Sequence, residues 1–308
     1  MEQKMRRSKE KKSKKKIGLW IIVSLCTCIL LAVGVAFYNV HKTMNKIHTP
    51  LTEEKQEDDK PVTKAAPFSV LLLGVDERKA DSGRSDTMIV MTVNPEQQTM
   101  KMLSIPRDTR TEIIGHQTVD KINHAYAFGG VQMAVDTVAH FLEIPIDYYV
   151  FINMEGFLQI IDTVGGITID NDMELTYDQY HYPEGEVTLN GEEALIFSRI
   201  RYEDPRGDFG RQIRQRQIIE AVMKKAATPS MLLKASDMLE VVGDNVRMNF
   251  TMKELWQLQG LYKELNQQME QLSFQQGAGE RIERIWYYIP DEAELQTIRT
   301  TLQTHLQK

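Results

Sequence analysis

Residues 17–40 constrain this chain more than any other segment, because they form an uninterrupted apolar stretch without a charged residue. At about 1.5 Å of rise per residue, a helix of this length crosses a hydrocarbon layer of roughly 30 Å. The stretch is longer than the roughly 7–15 apolar residues of a cleavable signal peptide. We therefore predict a single transmembrane helix, with cleavage near Gly34, Val35 and Ala36 as the alternative.

The charge of the chain is strongly asymmetric around this segment. Residues 1–16 contain nine Lys and Arg against two Glu, a net charge of +7, and the whole chain carries -6, so the remainder carries -13. Because positive residues beside a span stay on the cytoplasmic side, we predict a cytoplasmic tail at 1–16 and an extracellular body at 41–308. An acidic body argues against a nucleic-acid partner, and any anionic ligand requires a local cluster of cations.

Several familiar chemistries are excluded by the residues available. Both cysteines, Cys26 and Cys28, lie inside the predicted membrane helix, so the body has no disulfide, cysteine nucleophile or cysteine-ligated zinc. The sequence also contains no phosphate loop of the ATPase type, no dinucleotide fingerprint, no zinc-protease motif and no nucleophile-elbow serine. The usual nucleotide-binding and hydrolase mechanisms therefore do not apply.

The body divides into a stalk and one folded domain. Residues 41–67 are polar, contain three prolines and lack an apolar face, which predicts a flexible extracellular stalk before a domain at 68–308. In that domain, short apolar runs alternate with segments of helical periodicity, which predicts an α/β fold with helices on both faces of one sheet. The predicted strands lie near 68–75, 87–93, 100–105, 147–152, 167–169, 268–274 and 284–289. The predicted helices lie near 131–142, 154–164, 191–201, 208–227, 230–240, 251–267 and 291–306.

Charged residues follow two of the predicted strands. Asp76 comes directly after the first strand, and Arg84 and Asp86 share one face of the extended chain that leads into the second. Asp76 and Asp86 together offer the hard oxygen ligands that a divalent cation such as Mg²⁺ prefers. Arg107 follows a proline after the third strand. Taken singly, these residues are also typical of caps, turns and surface ion pairs.

Residues 198–217 contain six arginines and no lysine. Guanidinium groups stay charged and bind phosphate oxygens two at a time, so this composition predicts a site for a phosphate ligand. Asp208, Arg211 and Gln215 recur at helical spacing on one face, and Asp208 is also a candidate helix cap. Because an extracellular domain has little access to ATP, we expect a membrane-bound lipid diphosphate as the donor. A salt-bridged surface helix is the alternative. The six arginines are Arg199, Arg201, Arg206, Arg211, Arg214 and Arg216.

Four sequence blocks resemble the LytR-CpsA-Psr family, most closely its LytR-type teichoic acid transferases. They are LLLGVDER with GRSDTMIVMTVNP, MLSIPRDTR, DKINHAYAFGG and FSRIRYEDPRGDFGRQIRQRQ. The resemblance implies an α/β/α sandwich with a central mixed sheet. It also implies a phosphotransferase that moves a glycopolymer phosphate, here wall teichoic acid, from an undecaprenyl diphosphate carrier to the muramic acid 6-hydroxyl of peptidoglycan.

The resemblance further assigns roles to individual residues. Asp76 and Asp86 match the metal-linked aspartates, for Mg²⁺ or alternatively Mn²⁺. Arg107 and Arg201 are also expected to act in catalysis, and Asp208 is expected to orient or deprotonate the acceptor hydroxyl. Lys121 and Asn123 lie in a family motif and are carried over with less weight. The residues expected to bind the diphosphate are Arg84, Arg107, Arg199, Arg201, Arg211 and Gln215.

Two other functions are compatible with the same residues. One is a prenyl-phosphate carrier or sensor without transferase activity, and the other is a hydrolase that releases the lipid diphosphate to water. The three aspartates favour catalysis, because simple anion binding gains nothing from added carboxylates. Apolar residues at helical spacing, such as Val135, Val138 and Phe141, line either a lipid tunnel or the core, and the core is favoured.

Overall fold

The protein is described from a computed structural model, and the structure describes residues 42–51, 66–76, 83–228, 243, 245–265 and 269–307. None of the helices in these ranges has the length and apolar character of a membrane span. The membrane helix predicted at 17–40 and the helix predicted at 230–240 lie outside the described residues.

Fourteen strands and six longer helices make up the described part of the chain. The strands are β1 (Phe68–Val75), β2 (Ser85–Asn94), β3 (Thr99–Ser104), β4 (Arg110–Ile113), β5 (Thr118–Lys121), β6 (Tyr148–Asn153), β7 (Ile167–Asn171), β8 (Leu175–Tyr177), β9 (Tyr180–Tyr182), β10 (Gly185–Leu189), β11 (Val246–Met248), β12 (Met269–Ser273), β13 (Ala278–Ile282) and β14 (Ile285–Ile289). The helices are α1 (His124–Leu142), α2 (Met154–Thr163), α3 (Gly191–Arg199), α4 (Asp208–Ala226), α5 (Met252–Leu265) and α6 (Glu292–Leu306).

Six strands form the central sheet in the order β11-β6-β1-β2-β3-β12. β1 pairs with β6 in parallel and β3 pairs with β12 in parallel, whereas the remaining neighbours are antiparallel, so the sheet is mixed. The other strands in the described ranges pair in twos, as β4-β5, β7-β10, β8-β9 and β13-β14. The predicted α/β architecture with a central mixed sheet is therefore confirmed.

Helices cover both faces of this sheet because its strands are apolar on both sides. In β1, Leu71 and Leu73 are buried in a core shared with α1 and α6, whereas Phe68 and Val70 are buried in a second core with α4 and α5. Buried strands of this kind read as continuous apolar runs in the sequence, as FSVLLLGV does. A third core lies under α2, α3 and the β7-β10 pair.

The apolar residues considered for a lipid tunnel belong to the core. Val135, Val138 and Phe141 on α1 are buried against the first face of the sheet, and Ile161 on α2 is buried in the third core. Core packing, the favoured interpretation, is thus confirmed for these residues.

α1 also begins earlier than predicted, since it continues across a break at Gly129 and Gly130.

Part of the segment predicted as a stalk belongs to the folded domain. Residues 42–47 are helical, and Met44 and Ile47 in this turn are buried. His48 and Thr49 continue onto the edge of the sheet, where the backbone N–H of Thr49 donates to Met248 at 2.8 Å. The expectation that folding begins at Phe68 is wrong for residues 42–51, because two apolar residues one helical turn apart suffice to dock a short segment.

Candidate functional site

Three strand ends bring the predicted site residues to one edge of the sheet. Because β2 is antiparallel to both β1 and β3, the end of β1, the start of β2 and the end of β3 coincide. Asp76 follows β1, and its backbone N–H donates to the carbonyl of Arg84 at 3.3 Å across the strand pair. A side chain in place of Gly74 would crowd this point, since a Cβ there would lie 3.0 Å from Cβ of Thr87.

A polar cavity of about 440 Å³ opens at this edge. Four of its lining residues were predicted as site residues, namely Asp76, Arg84, Asp86 and Arg107. The other lining residues are Asp108, Lys121, Asn123 and His124.

A tight turn places Arg107 and Asp108 in the cavity wall. Pro106 ends β3, and its carbonyl accepts from the backbone N–H of Thr109 at 3.0 Å and from the Thr109 hydroxyl at 2.6 Å. Arg107 Nη1 then donates to Asp86 Oδ1 at 2.8 Å, and Lys121 Nζ donates to Asp108 Oδ1 at 2.6 Å. Acidic and basic side chains therefore alternate along this wall.

The arginine-rich segment approaches the same edge from α3 and α4. Arg199, the last residue of α3, lies 3.8 Å from Asp76, one of the cavity residues. At the start of α4, Asp208 lies 2.8 Å from Arg211 and 3.8 Å from Arg201. Gln215 lies one turn further along α4 and is half-buried.

Asp208 does not cap α4, contrary to the expectation. Gly207 occupies the cap position, without a side chain to accept a hydrogen bond. Asp208 is the first helical residue instead, and its carboxylate accepts from Gln212 Nε2 at 3.1 Å in addition to contacting Arg211. The sequence pattern could not separate these positions because an aspartate is favourable in either.

The charges of the site are close enough to perturb one another. Burial lowers the pKa of Arg107, but the nearby carboxylates of Asp86, Asp108 and Asp208 outweigh burial, and the pKa is raised. The pKa of Arg211 is lowered, mainly because the side chain is buried. The carboxylate of Asp208 opposes this decrease, whereas the positive charge of Arg107 adds to it. Nε of Arg211 is also buried without a hydrogen-bond partner in the described structure. A multiply charged anion would relieve this repulsion and supply the missing acceptor.

The remaining arginines of the segment build a buried clamp beneath the site. Arg214 and Asp204 form an ion pair in which neither side chain is exposed. Arg214 also donates through Nε to the carbonyl of Phe197 at 3.0 Å and through Nη2 to the carbonyl of Ile200, both at the end of α3. Arg206 joins the pair by hydrogen-bonding Asp204. The clamp ties the segment carrying Arg199 and Arg201 to α4.

Arg216 is likewise structural in the described chain. It is 4% exposed, and it donates to Ser104 Oγ at 2.8 Å and to Gln271 Oε1 at 3.1 Å. These contacts join α4 to β3 and β12. The six arginines that appeared as one phosphate-binding run are therefore divided. Arg199, Arg201 and Arg211 lie at the site, Arg214 and Arg216 are buried in the fold, and Arg206 joins Arg214 from the partly exposed side of Asp204.

The acidic residues fit a divalent cation with few protein ligands. Asp76 and Asp86 line the same cavity and present hard carboxylate oxygens. Within the described ranges, no group of three or more His, Cys, Asp or Glu side chains is arranged to hold a metal ion. Mg²⁺ commonly binds through one or two carboxylates, with waters and substrate phosphates completing the shell. This donor set matches that pattern.

Two lining residues were missed by sequence reasoning. Asp108 and His124 lie within the blocks MLSIPRDTR and DKINHAYAFGG, but neither was predicted as a site residue. His124 Nδ1 lies 2.7 Å from Asp120 Oδ2, although the two belong to different elements. Their spacing of four residues crosses a strand, a turn and the first residue of α1, so neither helical nor strand periodicity indicates the contact.

Comparison with known proteins places this geometry in a family. Residues 34–304 match the model of the LytR_cpsA_psr family. The polyisoprenyl-teichoic acid–peptidoglycan teichoic acid transferase TagU of Bacillus subtilis (strain 168) is 47% identical over 306 residues, covering 98% of this chain and 100% of TagU. The crystal structure of B. subtilis TagU matches with a TM-score of 0.66, covering 79% of this chain and 98% of that structure at 47% identity.

A structure described as TagT bound to LIIa-WTA is also similar. It matches with a TM-score of 0.71 at 30% identity and covers 84% of this chain and 99% of that one. The family model spans most of the chain, and the relatives are matched over nearly their whole length. The chain belongs to the LytR_cpsA_psr family.

Proposed function

We propose that this protein transfers teichoic acid, as a glycopolymer phosphate, from an undecaprenyl diphosphate carrier to the muramic acid 6-hydroxyl of peptidoglycan. The name of the B. subtilis relative describes a transfer of teichoic acid from a polyisoprenyl carrier to peptidoglycan. The similar TagT structure is described with a bound WTA ligand. The close sequence identity supports extending this activity to the present chain.

The alternation of cations and carboxylates at one sheet edge is the observation that carries the proposal. Arg84, Arg107 and Lys121 line the cavity, and Arg199 approaches through Asp76. A diphosphate presents several anionic oxygens, and guanidinium groups bind such oxygens in pairs. The cavity is polar and lies at strand ends, where ligands commonly bind in α/β folds.

In the proposed reaction, the protein holds the diphosphate and stabilises the charge that develops on it. Arg201 and Arg107 are assigned to the transferring phosphoryl group, and Gln215 supports the same ligand from α4. The acceptor hydroxyl attacks the phosphorus atom attached to the glycopolymer, and the prenyl monophosphate leaves with the bonding electrons. Arg84, Arg199 and Arg211 are assigned to the anionic oxygens of the diphosphate.

Asp76 and Asp86 would hold Mg²⁺, or Mn²⁺ as the alternative. When bound, the ion would neutralise phosphate charge as a Lewis acid. Without the ion, Asp86 holds the guanidinium group of Arg107 at 2.8 Å, and Asp76 lies 3.8 Å from the more exposed Arg199.

The membrane topology forms part of the proposal. A cytoplasmic tail at 1–16, a membrane helix at 17–40 and an extracellular domain place the site on the side where peptidoglycan lies. A protease added to intact protoplasts should cleave the domain of this chain and spare a cytoplasmic control protein. Full protection of the domain would refute the topology.

The transfer itself is tested with the purified full-length chain, a synthetic prenyl-diphosphate glycan, Mg²⁺ and a peptidoglycan oligomer. Mass spectrometry should detect a phosphodiester-linked glycan on the oligomer. Arg201→Ala should reduce the rate by at least about 100-fold, since it removes an electrostatic group of the transition state. Lys224→Ala removes an exposed cation from the last turn of α4 and should leave the rate unchanged.

The metal is tested in the same assay. Addition of EDTA, or the substitution Asp86→Asn, should abolish product formation, and Mg²⁺ should restore it only in the EDTA-treated wild type. Donor binding without any product across several acceptors would instead identify a carrier or sensor. Release of the glycan phosphate to water in the absence of an acceptor would identify a hydrolase.

A further inference from the structure

The cavity wall contains an imidazole–carboxylate pair to which the proposed function assigns no role. His124, the first residue of α1, lines the cavity together with Asp76 and Asp86. Its Nδ1 atom lies 2.7 Å from Asp120 Oδ2, and both side chains are 23% exposed. The pair is therefore partly shielded, and its imidazole lines the space where the ligand is expected.

The carboxylate of this pair is held from three directions. Besides the contact with His124, Asp120 Oδ1 accepts from the backbone N–H of Lys121 at 2.8 Å and from the Tyr287 hydroxyl at 3.2 Å. Burial raises the pKa of Asp120, but the hydrogen bonds from His124 and from the Lys121 backbone outweigh burial and lower it. Asp120 thus remains an ionised and immobile acceptor.

This arrangement determines which nitrogen of His124 carries the proton. A neutral imidazole has one donor and one acceptor nitrogen, and an ionised carboxylate can only accept. Nδ1 is therefore the donor toward Asp120, and Nε2 has the lone pair. The Phe128 ring packs against His124 at 5.9 Å between centroids and limits rotation of the imidazole.

Asp208 is less suited to accept a proton than this pair. Its Oδ1 lies 2.8 Å from Arg211, and its Oδ2 accepts from Gln212 Nε2 at 3.1 Å. Both carboxylate oxygens of Asp208 therefore already accept from protein donors.

We propose that His124 is the general base of the transfer reaction and that Asp120 is the residue that positions it. This proposal rests on the proposed function. As the acceptor oxygen forms its bond to phosphorus, its proton passes to Nε2 of His124, and the bond to the prenyl phosphate breaks with its electrons leaving on that group. The imidazolium formed is stabilised by Asp120 and returns its proton to the departing phosphate or to solvent.

The test compares His124→Asn with His116→Asn in the full-length chain. Asparagine can present its amide N–H toward Asp120 as Nδ1 does, but it has no basic nitrogen. His116 is a matched control, because it stacks on the same Phe128 ring at 4.0 Å and does not line the cavity. We expect His124→Asn to slow transfer by about 10²–10⁴-fold, as is typical for loss of a general base. His116→Asn should retain the wild-type rate.

Binding of the donor separates catalysis from folding and from simple recognition. The affinity for the synthetic prenyl-diphosphate glycan, measured by titration, should be unchanged in His124→Asn. Added imidazole should partly restore transfer in His124→Ala. A comparable loss of donor binding would assign His124 to ligand binding and overturn the proposal, as would a rate reduction smaller than about tenfold.

The pH dependence gives an independent measure of the base. Wild-type transfer should increase with pH, because a general base acts only in its unprotonated form, and this increase should vanish in His124→Asn. Persistence of the increase in His124→Asn together with its loss in Asp208→Asn would overturn the proposal in favour of Asp208. A wild-type chain that binds the donor and forms no product would instead refute the proposed function, and this proposal with it. Asp120 contacts His124 directly, and the Tyr287 hydroxyl donates to Asp120. The other charged groups that line the same cavity as His124 are Asp76, Arg84, Asp86, Arg107, Asp108 and Lys121.

Discussion

Removal of the Asp204 carboxylate should destabilise the protein far more than removal of an exposed acid in the same network. Asp204 pairs with Arg214, and neither side chain is exposed. It also accepts from the backbone N–H of Arg206 at 2.8 Å and from the Arg206 side chain at 3.0 Å. In Asp204→Ala, the buried guanidinium group of Arg214 therefore keeps its hydrogen bonds to two backbone carbonyls but loses its counter-ion.

The size of the effect follows from the burial of that unpaired charge. Breaking a buried ion pair by removing one partner costs about 3–5 kcal/mol, because the remaining charge is uncompensated in a medium of low polarity. Asp172 pairs with the outer side of Arg206 and is 44% exposed, so Asp172→Ala should cost at most about 1 kcal/mol. The two variants remove the same functional group from one network and differ mainly in burial.

Urea unfolding of the purified full-length chain, followed by circular dichroism, measures both variants. The midpoint should fall strongly for Asp204→Ala and little for Asp172→Ala, with equal slopes. At temperatures where Asp204→Ala remains folded, transfer should still be reduced, because a misplacement of about 1 Å in a positioning residue can lower the rate about 100-fold. A loss below about 1 kcal/mol for Asp204→Ala would refute the argument, since such a value is typical of an exposed pair.

Two further predictions concern stability and use the same urea titration. Burial lowers the pKa of His305 from 6.5 to about 4, so the unfolded chain binds more protons and stability falls as the pH drops below 6.5. The free energy of unfolding should fall by about 2 kcal/mol between pH 7.5 and pH 5. In a His305→Gln variant this decrease should be absent, which would confirm His305 as its source. Gly210→Ala should destabilise by about 1–3 kcal/mol, because its methyl group would overlap the Asp204 carboxylate. Gly260→Ala, with open space around its Cβ position, should instead stabilise helix α5 by about 0.5–1 kcal/mol. An increase in stability for Gly210→Ala would contradict the packing argument.

The central strands were predictable from sequence because their apolar residues are dense and regularly bounded. FSVLLLGV and TMIVMTV can be buried only in a sheet covered on both faces, and β1 and β2 are placed accordingly. The hairpin β4-β5 was not predictable, since its strands are four residues long, half-exposed and polar. Such strands form through backbone pairing and tertiary contacts, for which the side-chain pattern gives no signal.

The site was predictable as a set of residue types and less so as a set of contacts. Strand ends indicated that Asp76, Asp86 and Arg107 lie close together, and the three line one cavity, because the direction of each strand decides where its end lies. Composition alone could not tell Arg211 from Arg214, which are three residues apart on one helix. Arg211 contacts Asp208 at the start of α4, whereas Arg214 contacts the buried Asp204. Which acid each arginine meets depends on the tertiary structure.

The acids of the site explain how the arginines are held before a ligand arrives. Arg211 is 9% exposed and lies 2.8 Å from Asp208, so its position is set by the protein. Arg199 and Arg201 are 50% and 37% exposed. Arg199 lies 3.8 Å from Asp76, and Arg201 lies 3.8 Å from Asp208. Because such exposed pairs are weak, both side chains can turn toward a diphosphate at little cost in free energy. The backbone beneath them is fixed by Arg214 at the end of α3. The geometry therefore combines two exposed guanidinium groups with one that the protein holds, and this combination suits a site that must bind a charged lipid and release it after each transfer.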